Sequence, residues 1–414
     1  MKKPCIAIVS FPGNNCEVES IRAIKESEMK AAFIKWNDDP KKISEQKFDG
    51  YFLPGGFSYE DRGRSGMIAA RQPIMDFLRD EAAKGKVIIG NCNGAQILVE
   101  SGLIPLGKGL QMSLARNALM SGQNARMTGF LSRWIWIRRS CDAPRCATSN
   151  WEGVMHLPIA HGEGRFTTED KDLIAELKRK RQIAFSYCDA EGNVSVDPDI
   201  TPNGSMEAIA GICNPEGNVV ALMPHPERTQ SGKPYFDSVR EWIAAGRGKP
   251  ASMQKPAPKK HLIGQHASRG LEIFIDTIIV NNEERTLEQA LHRLLPAAKL
   301  KQWKYRAEPE GDVRSILSDI TFFNANKERA FIRRNGQLFQ WNAEKKEERA
   351  LPGHQTHNLF GGTALLRKEL PEPAEETEHG ICYVCSDADE SALDRSDVQE
   401  IFANPHASSL ERLH

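Results

Sequence analysis

Short apolar runs alternate with amphipathic stretches of helical period between Lys3 and Gly246. CIAIVSF opens this alternation, and KVIIG at residues 86–90 is a later apolar run. The alternation predicts a mostly parallel sheet covered by helices, because successive parallel strands must be joined by long crossovers. Residues 1–246 are therefore predicted to form an α/β domain.

A stretch without apolar periodicity follows this part of the chain. GRGKPASMQKPAPKKHL is rich in proline and lysine, so a linker is predicted at residues 247–261. A smaller α+β domain is expected at residues 262–414. Its predicted elements are a strand in LEIFIDTIIV, a helix in TLEQALHRLL and a strand in KLKQWKYRAE.

Two further predictions concern the second half of this smaller domain. Asn335-Gly336, between AFIRR and QLFQW, favours a hairpin with a type I′ turn. Residues 351–378 are predicted to be an irregular loop.

Composition narrows the class of protein. A chain of 414 residues is expected to contain about two domains, because one hydrophobic core seldom organises so long a chain. Its residues are 40% hydrophobic and 27% charged, and the net charge of +0 gives no basic footprint for nucleic acid. No apolar run approaches the roughly 18 residues of a membrane-spanning helix, and the first run is too short for a signal peptide. The nine cysteines are then expected to be reduced thiols in the cytoplasm.

The segment Gly90-Asn91-Cys92-Asn93-Gly94 stands between the apolar run VIIG and the helical pattern AQILVE. A strand, a tight turn and a helix in this order are typical of a nucleophile elbow, with cysteine in place of serine. Small flanking residues let the turn close, and a helix N-terminus favours the thiolate. The alternative is an ordinary buried thiol, since free cysteine is among the most buried residue types.

A histidine and a glutamate follow the apolar run GNVVALM, in Pro224-His225-Pro226-Glu227-Arg228. Residues two apart in an extended chain face the same side, so Glu227 can orient the His225 imidazole as a base. A His-x-Glu pair alone is more often an exposed polar pair than a catalytic one. Together with Cys92 it completes the residue set of a nucleophile triad.

The turn Pro54-Gly55-Gly56 directly follows the apolar run YFL. Glycines at the end of a strand let backbone N–H groups approach a substrate oxygen, as an oxyanion hole requires. The alternative is an ordinary glycine turn.

Cys382 and Cys385 form a CxxC motif with His379 nearby. A structural zinc site needs four ligands, and Cys141 with Cys146 would have to come from the other domain. GICYVCSD is more simply predicted to be a strand, and no metal is expected on this chain.

The cysteine elbow, the His-x-Glu pair and the glycine turn together resemble a class I glutamine amidotransferase. Six sequence segments indicate which family within this class the chain resembles. They are FPGNNCEVE, GGFSYEDRGRSGMIAA, GNCNGAQIL, LPIAHGEGRF, TPNGSMEAIAGICNPEGNV and MPHPER. They resemble the glutaminase subunit of phosphoribosylformylglycinamidine synthase, an enzyme of de novo purine synthesis, over almost all of residues 1–246. The resemblance implies a flavodoxin-like class I glutaminase domain that releases ammonia from glutamine.

The resemblance also implies roles for individual residues. Cys92 would be the nucleophile, His225 the general base and acid, and Glu227 the group that orients the imidazole. The residues implied to stabilise the oxyanion or hold glutamine are Gly55, Gly56, Asn93 and Gln96.

Three positions stand apart from these roles. Ala95 and Glu60 depart from the family pattern, which commonly has an aromatic residue and a glycine there. Neither change removes a reacting group. His161, in AHGEGR, is expected close to the site without an assigned role.

The resemblance implies a partner protein as well. The family reaction consumes ATP, and we find no nucleotide-binding motif in this sequence. A large synthetase subunit is therefore expected to bind Mg-ATP and formylglycinamide ribonucleotide, while this chain carries no cofactor. Residues 271–308 weakly resemble the small accessory subunit of the same synthase, mainly at Leu271, Ala290, Leu291 and Tyr305. An unrelated β-α-β unit is the alternative there.

Two other functions remain open at this point. The chain could be a glutaminase that serves a different synthetase, because the cysteine chemistry would be the same. It could also be a binding or regulatory protein whose amidotransferase fold has lost catalysis. The presence of Cys92, His225 and Glu227 together argues against that second alternative.

Overall fold

A computed structural model describes residues 3–121, 124–248, 250, 263–268, 270–351, 359–371 and 377–413. The chain divides into two compact units, built mainly from residues up to 258 and from residues 259–414. Most of the predicted linker at 247–261 lies outside the described residues. Within the described ranges, no helix has the length and apolar character needed to cross a membrane.

The first unit contains alternating strands and helices. Its strands are β1 Cys5–Ser10, β2 Lys30–Lys35, β3 Gly50–Leu53, β4 Val87–Asn91, β5 Ser113–Arg116, β6 Ala118–Ser121, β7 Asn124–Met127, β8 Leu131–Arg139, β9 Val154–His161, β10 Glu163–Thr167, β11 Ile183–Cys188, β12 Ile209–Cys213 and β13 Val219–Leu222. Its helices are α1 Glu17–Glu26, α2 Pro40–Glu45, α3 Met67–Ala70, α4 Pro73–Ala83, α5 Asn93–Glu100, α6 Lys171–Arg179 and α7 Lys233–Ala244.

The main sheet has the order β2-β1-β3-β4-β13-β12-β11-β8-β9. The pairings from β2 to β13 are all parallel, and their spatial order is the 2-1-3-4-5 order of flavodoxin-like sheets. This half confirms the predicted α/β fold. The pairings from β13 to β9 are antiparallel, so the complete sheet is mixed.

Both faces of the parallel half are buried. On β1, Ala7 and Val9 pack into one hydrophobic cluster, whereas Ile6 and Ile8 pack into a second cluster. Successive strand residues point to opposite faces, which explains why CIAIVSF is continuously apolar. Helices α4 and α5 contribute to the first cluster, and helices α1 and α7 contribute to the second.

The second unit is a largely antiparallel sheet with helices, which confirms the predicted α+β class. Its strands are β14 Gly264–Gln265, β15 Leu271–Thr277, β16 Lys299–Glu308, β17 Glu328–Arg334, β18 Gln337–Asn342, β19 Glu347–Ala350, β20 Thr363–Glu369, β21 Glu378–Ser386 and β22 Ser408–Leu413. Its helices are α8 Asn282–Leu291, α9 Val313–Ile316, α10 Glu390–Leu393 and α11 Ser396–Phe402. The sheet order is β14-β22-β20-β21-β16-β15-β17-β18-β19.

The strand, helix and strand predicted at the start of this unit are confirmed as β15, α8 and β16. The predicted hairpin is confirmed as β17 and β18, and its turn has φ of 51° at Asn335 and 76° at Gly336. These positive φ values are the ones that a type I′ turn requires.

The prediction of an irregular loop over residues 351–378 was wrong in part, because β20 lies within this range and pairs with β22 and β21 in the sheet. Residues 352–358 and 372–376 of the predicted loop lie outside the described residues. The sequence TALLRKE has only a short apolar run followed by charges. The charged side chains are nevertheless buried, since Arg367 pairs with Glu369 and Lys368 pairs with Glu411. These ion pairs replace the apolar alternation that would have indicated a strand.

The CxxC motif lies in β21, as the strand prediction for GICYVCSD stated. Cys382 and Cys385 are both buried, at 0% and 2% exposure. Residues three apart in a strand point to opposite faces, so the two thiols are not arranged to share one metal ion.

A buried carboxylate organises the polar part of the second unit. Glu272 is 0% exposed and accepts hydrogen bonds from His266 Nε2, Ser268 Oγ, Tyr305 Oη and Arg333 Nε at 2.7, 2.6, 2.9 and 2.6 Å. Burial by itself raises the pKa of Glu272, but these bonds outweigh burial and lower that pKa to about 2. The carboxylate therefore stays charged inside the fold.

Gly94→Ala tests the packing of α5 against β3. A Cβ on Gly94 would lie 2.0 Å from the backbone oxygen of Leu53, so we expect a loss of about 2 kcal/mol or more in the free energy of unfolding. Gly162→Ala is the control, because its Cβ would meet only Phe130 Cδ2, at 3.9 Å. Thermal unfolding of the two full-length variants measures the difference, and equal midpoints would contradict this packing.

Arg333→Ala tests the buried carboxylate. Removing the guanidinium leaves Glu272 charged and short of a partner, so we expect a loss of about 3 kcal/mol in stability of the second unit. Arg334→Ala removes a more exposed arginine paired with Glu348, and its expected cost is about 0–1 kcal/mol. Denaturant unfolding compares the variants, and a smaller loss for Arg333→Ala than for Arg334→Ala would refute this account.

Candidate active site

Cys92 lies in a sharp turn between the end of β4 and the start of α5, as expected for an elbow. Its backbone has φ 50° and ψ −109°, a conformation that costs a non-glycine residue about 1–3 kcal/mol. Its N–H donates to the backbone oxygen of Leu222 at 2.8 Å, and its carbonyl accepts from Gln96 N at 3.1 Å. The turn is thus fixed on both sides of the cysteine.

His225 and Glu227 follow the end of β13, the strand that pairs in parallel with β4. Nδ1 of His225 lies 2.6 Å from Oε1 of Glu227, and the two residues are 1% and 3% exposed. The side chains meet because Pro226–Arg228 forms a single 3-10 turn, not because the chain is extended as the pattern suggested. Nε2 of His225 has no hydrogen-bond partner among the described residues.

The surroundings of His225 favour the protonated form of its imidazole. Burial lowers the pKa of His225, but the charges of Cys92 and Glu227 outweigh burial and raise that pKa well above its ordinary value. Burial raises the pKa of Glu227, whereas His225 and the hydrogen bond from Asn91 lower it, and the net shift is downward.

Sequence reasoning missed the residues that hold Glu227. Asn91 Nδ2 donates to Oε2 of Glu227 at 3.0 Å, and Tyr235 Oη donates to Oδ1 of Asn91 at 3.1 Å. All of these groups are buried. Asn91 could have been identified as a site residue because it is adjacent to Cys92 in the sequence. Nothing in the sequence indicated that Tyr235 lies at the site.

The predicted oxyanion and glutamine contacts lie around the same elbow. Gly55 packs directly on the imidazole, since a Cβ there would lie 2.6 Å from Cε1 of His225. The backbone N–H of Asn93 is at the N-terminus of α5, where helical N–H groups have no helical acceptor. Its side chain accepts from Ser58 N at 3.1 Å and donates to Gln96 Oε1 at 2.9 Å.

The loop after β3 contains Gly56 and also Glu60, the position at which this sequence departs from the glycine of the family pattern. Gly56 has φ 139°, and Glu60 has φ 58°, in the left-handed region that favours glycine. The glycine usual at that position in the family therefore has a backbone reason, and Glu60 adopts the same conformation at a cost. Asp61, the next residue, accepts from Asn93 Nδ2 at 3.3 Å. Burial and the Glu163 charge raise the pKa of Asp61 to about 7.

A second thiol, Cys16, also adjoins the histidine, and sequence reasoning did not single it out. Arg228 Nη2 donates to its Sγ at 2.9 Å. The potential ligand atoms of Cys16, His225 and Glu227 lie within 4.8 Å of one another, a spacing that could hold a metal ion. Nδ1 of His225 and Oε1 of Glu227 are already bonded to each other, which suits proton transfer better than metal binding.

The sheet order, the elbow at Cys92 and the buried His225–Glu227 pair define a class I glutamine amidotransferase domain. Residues 3–246 match the CobB/CobQ-like glutamine amidotransferase domain. Phosphoribosylformylglycinamidine synthase subunit PurQ of Methanothrix thermoacetophila is 41% identical over 261 residues, covering 58% of this chain and 99% of that protein. The chain therefore belongs to the PurQ family of glutamine amidotransferases.

Two further relatives carry the same name. PurQ of Saccharolobus solfataricus is 39% identical over 228 residues, covering 54% of this chain and 88% of that protein. PurQ of Pyrococcus furiosus is 38% identical over 246 residues, covering 57% of this chain and 97% of that protein. A solved structure of PurLQS from Thermotoga maritima is 30% identical with a TM-score of 0.45, covering 58% of this chain and 100% of that one. The family match ends at residue 246 and leaves the second unit unassigned.

Glu227→Gln tests the His–Glu pair. The amide cannot stabilise an imidazolium, so we expect kcat for glutamine hydrolysis to fall by roughly 10²–10⁴-fold with a smaller change in KM. Steady-state glutamate release measures both constants, and alkylation of Cys92 by iodoacetamide should slow in parallel. Glu191→Gln changes an exposed glutamate and is the control. A kcat within threefold or so of wild type for Glu227→Gln would contradict the assigned geometry.

Proposed function

We propose that this chain hydrolyses glutamine to glutamate and ammonia and passes the ammonia to a synthetase partner. The partner uses ATP to convert formylglycinamide ribonucleotide to formylglycinamidine ribonucleotide, in de novo purine synthesis. The observation that carries this proposal is the strained Cys92 elbow beside the buried His225–Glu227 pair, in a chain of the PurQ family. The relatives are named as subunits of phosphoribosylformylglycinamidine synthase, which supports the synthetase partner.

The reaction begins when the Cys92 thiolate attacks the carboxamide carbon of glutamine. His225 gives its Nε2 proton to the nitrogen, the C–N bond breaks, and ammonia leaves a glutamyl thioester on Cys92. His225 then takes a proton from the water that attacks the thioester. Breaking of the C–S bond releases glutamate and restores Cys92. Glu227 holds Nδ1 throughout, so that Nε2 is the nitrogen that exchanges the proton.

Backbone groups stabilise the charge that develops on the carboxamide oxygen. The proposed donors are the N–H groups of Gly56 and Asn93, one in the loop after β3 and one at the N-terminus of α5. The Gly55 position allows this loop to approach His225 closely. Gln96 and Asn93 are hydrogen-bonded to each other, and we assign them to holding the bound glutamine.

The synthetase reaction belongs to the partner. We propose that a large synthetase subunit binds Mg-ATP and the ribonucleotide, while this chain contributes glutamine chemistry and needs no cofactor of its own. A cytoplasmic location fits the nine free thiols.

The second unit has its own hydrophobic clusters and its own sheet. We propose that it serves as the small accessory subunit of the synthase, joined here to the glutaminase. The β15, α8 and β16 elements supply the strand-helix-strand order on which the weak resemblance rests. Residues 309–414 are not covered by that resemblance.

The direct test is formation of formylglycinamidine ribonucleotide from glutamine, ATP and formylglycinamide ribonucleotide by a large synthetase subunit with this chain added. We expect wild type to support product formation and Cys92→Ala to support it only when free ammonia is supplied. Cys188→Ala, a buried thiol of β11, is the matched control and should behave as wild type. Glutamate release without that product would assign the glutaminase to another synthetase.

A further inference from the structure

His161 is a buried histidine that has no role in the mechanism above. It is the last residue of β9, is 3% exposed, and places Nδ1 3.1 Å from Oδ1 of Asn117. Asn117 Nδ2 donates to the backbone oxygens of Gly129 and His161, at 3.0 and 2.7 Å. Carbonyl oxygens only accept, so the amide orientation is fixed and Oδ1 must accept from Nδ1. The proton is therefore on Nδ1, and Nε2 carries a lone pair.

This lone pair has no hydrogen-bond partner in the part of the chain that the structure describes. Gly164 packs against the ring, since a Cβ there would lie 2.2 Å from Cε1, and this contact fixes the ring orientation. Burial and the charge of His225 lower the pKa of His161 to about 3, so the ring is neutral at physiological pH. Buried acceptors without a partner are rare in folded proteins, so this nitrogen needs an explanation.

The segment that carries His161 runs across the active site. Three of its backbone carbonyls accept hydrogen bonds from site residues. These bonds are His225 N to Pro158 O at 3.0 Å, Cys92 Sγ to Ala160 O at 3.6 Å, and Gln96 Nε2 to Glu163 O. His161 therefore lies between the contact to the nucleophile and the contact to the residue assigned to glutamine.

We propose that Nε2 of His161 and the carbonyl oxygen of Ala160 accept the two hydrogens of the carboxamide nitrogen of glutamine. The oxygen of Ala160 is released for this role when the Cys92 thiol loses its proton. Two acceptors match an NH₂ group and disfavour the oxygen atoms of an ester or carboxylate, which bring lone pairs and no hydrogen. His161 is then a substrate-binding residue that selects the amide. This inference rests on the proposed glutaminase function.

Two variants distinguish the role of Nδ1 of His161 from the role of its Nε2. In His161→Asn, the shorter amide can still donate to Asn117 in place of Nδ1 but offers no acceptor at the position of Nε2. In His161→Gln, the longer amide places an oxygen near that position. Both full-length variants, with the synthetase partner present, are assayed by turnover of L-glutamine and of γ-methyl L-glutamate, an ester whose leaving oxygen carries no hydrogen.

We expect His161→Asn to lower kcat/KM for glutamine about 10–100-fold and for the ester by less than about threefold. His161→Gln should keep most of the glutamine activity. Equal losses on both substrates, or no loss on glutamine, would overturn this inference alone. If wild type hydrolyses neither substrate, the proposed function fails, and the inference fails with it.

Discussion

The parallel pairing of β4 with β13 is the constraint on which the site depends. The register joins Ile88 to Val219 and Asn91 to Leu222, so the two strands end together at one edge of the sheet. Cys92 directly follows one strand, and His225 comes three residues after the other. Backbone topology thus brings Cys92 and His225 together from positions 133 residues apart, the difference between 225 and 92. Ligands of open α/β sheets bind at this carboxyl edge.

Burial then determines the chemistry. The strained backbone of Cys92 and the buried polar side chains around it cost free energy, which the two hydrophobic clusters of the sheet offset. Asn91 Nδ2 and Nδ1 of His225 each hydrogen-bond one oxygen of the Glu227 carboxylate, at 3.0 and 2.6 Å. Nε2 of His225 and Nε2 of His161 are left without partners among the described residues, and these are the atoms to which we assign substrate contacts. Burial lowers the local dielectric and strengthens such contacts.

Local patterns predicted the parallel half of the sheet, the elbow and the hairpin, because each depends on periodicity or turn chemistry over a few residues. They did not predict β20, where buried ion pairs of Arg367 and Lys368 replace apolar alternation. They also missed Tyr235, whose contact with Asn91 joins residues 144 apart. The His225–Glu227 contact was expected from extended geometry and instead arises from a 3-10 turn. Sequence patterns identify residues whose side chains are capable of catalysis, whereas long-range packing decides which of these residues come into contact.

The central claim is that the elbow makes Cys92, and not the neighbouring Cys16, the nucleophile. The most direct measurement is peptide mass mapping after treatment of the full chain with a diazoketone analogue of glutamine, which alkylates an activated thiol in the glutamine site. The account predicts one adduct on the peptide that contains Cys92, with Cys16 unmodified and glutamine protecting against labelling. An adduct on Cys16, or an unlabelled Cys92 in a preparation that hydrolyses glutamine, would contradict it.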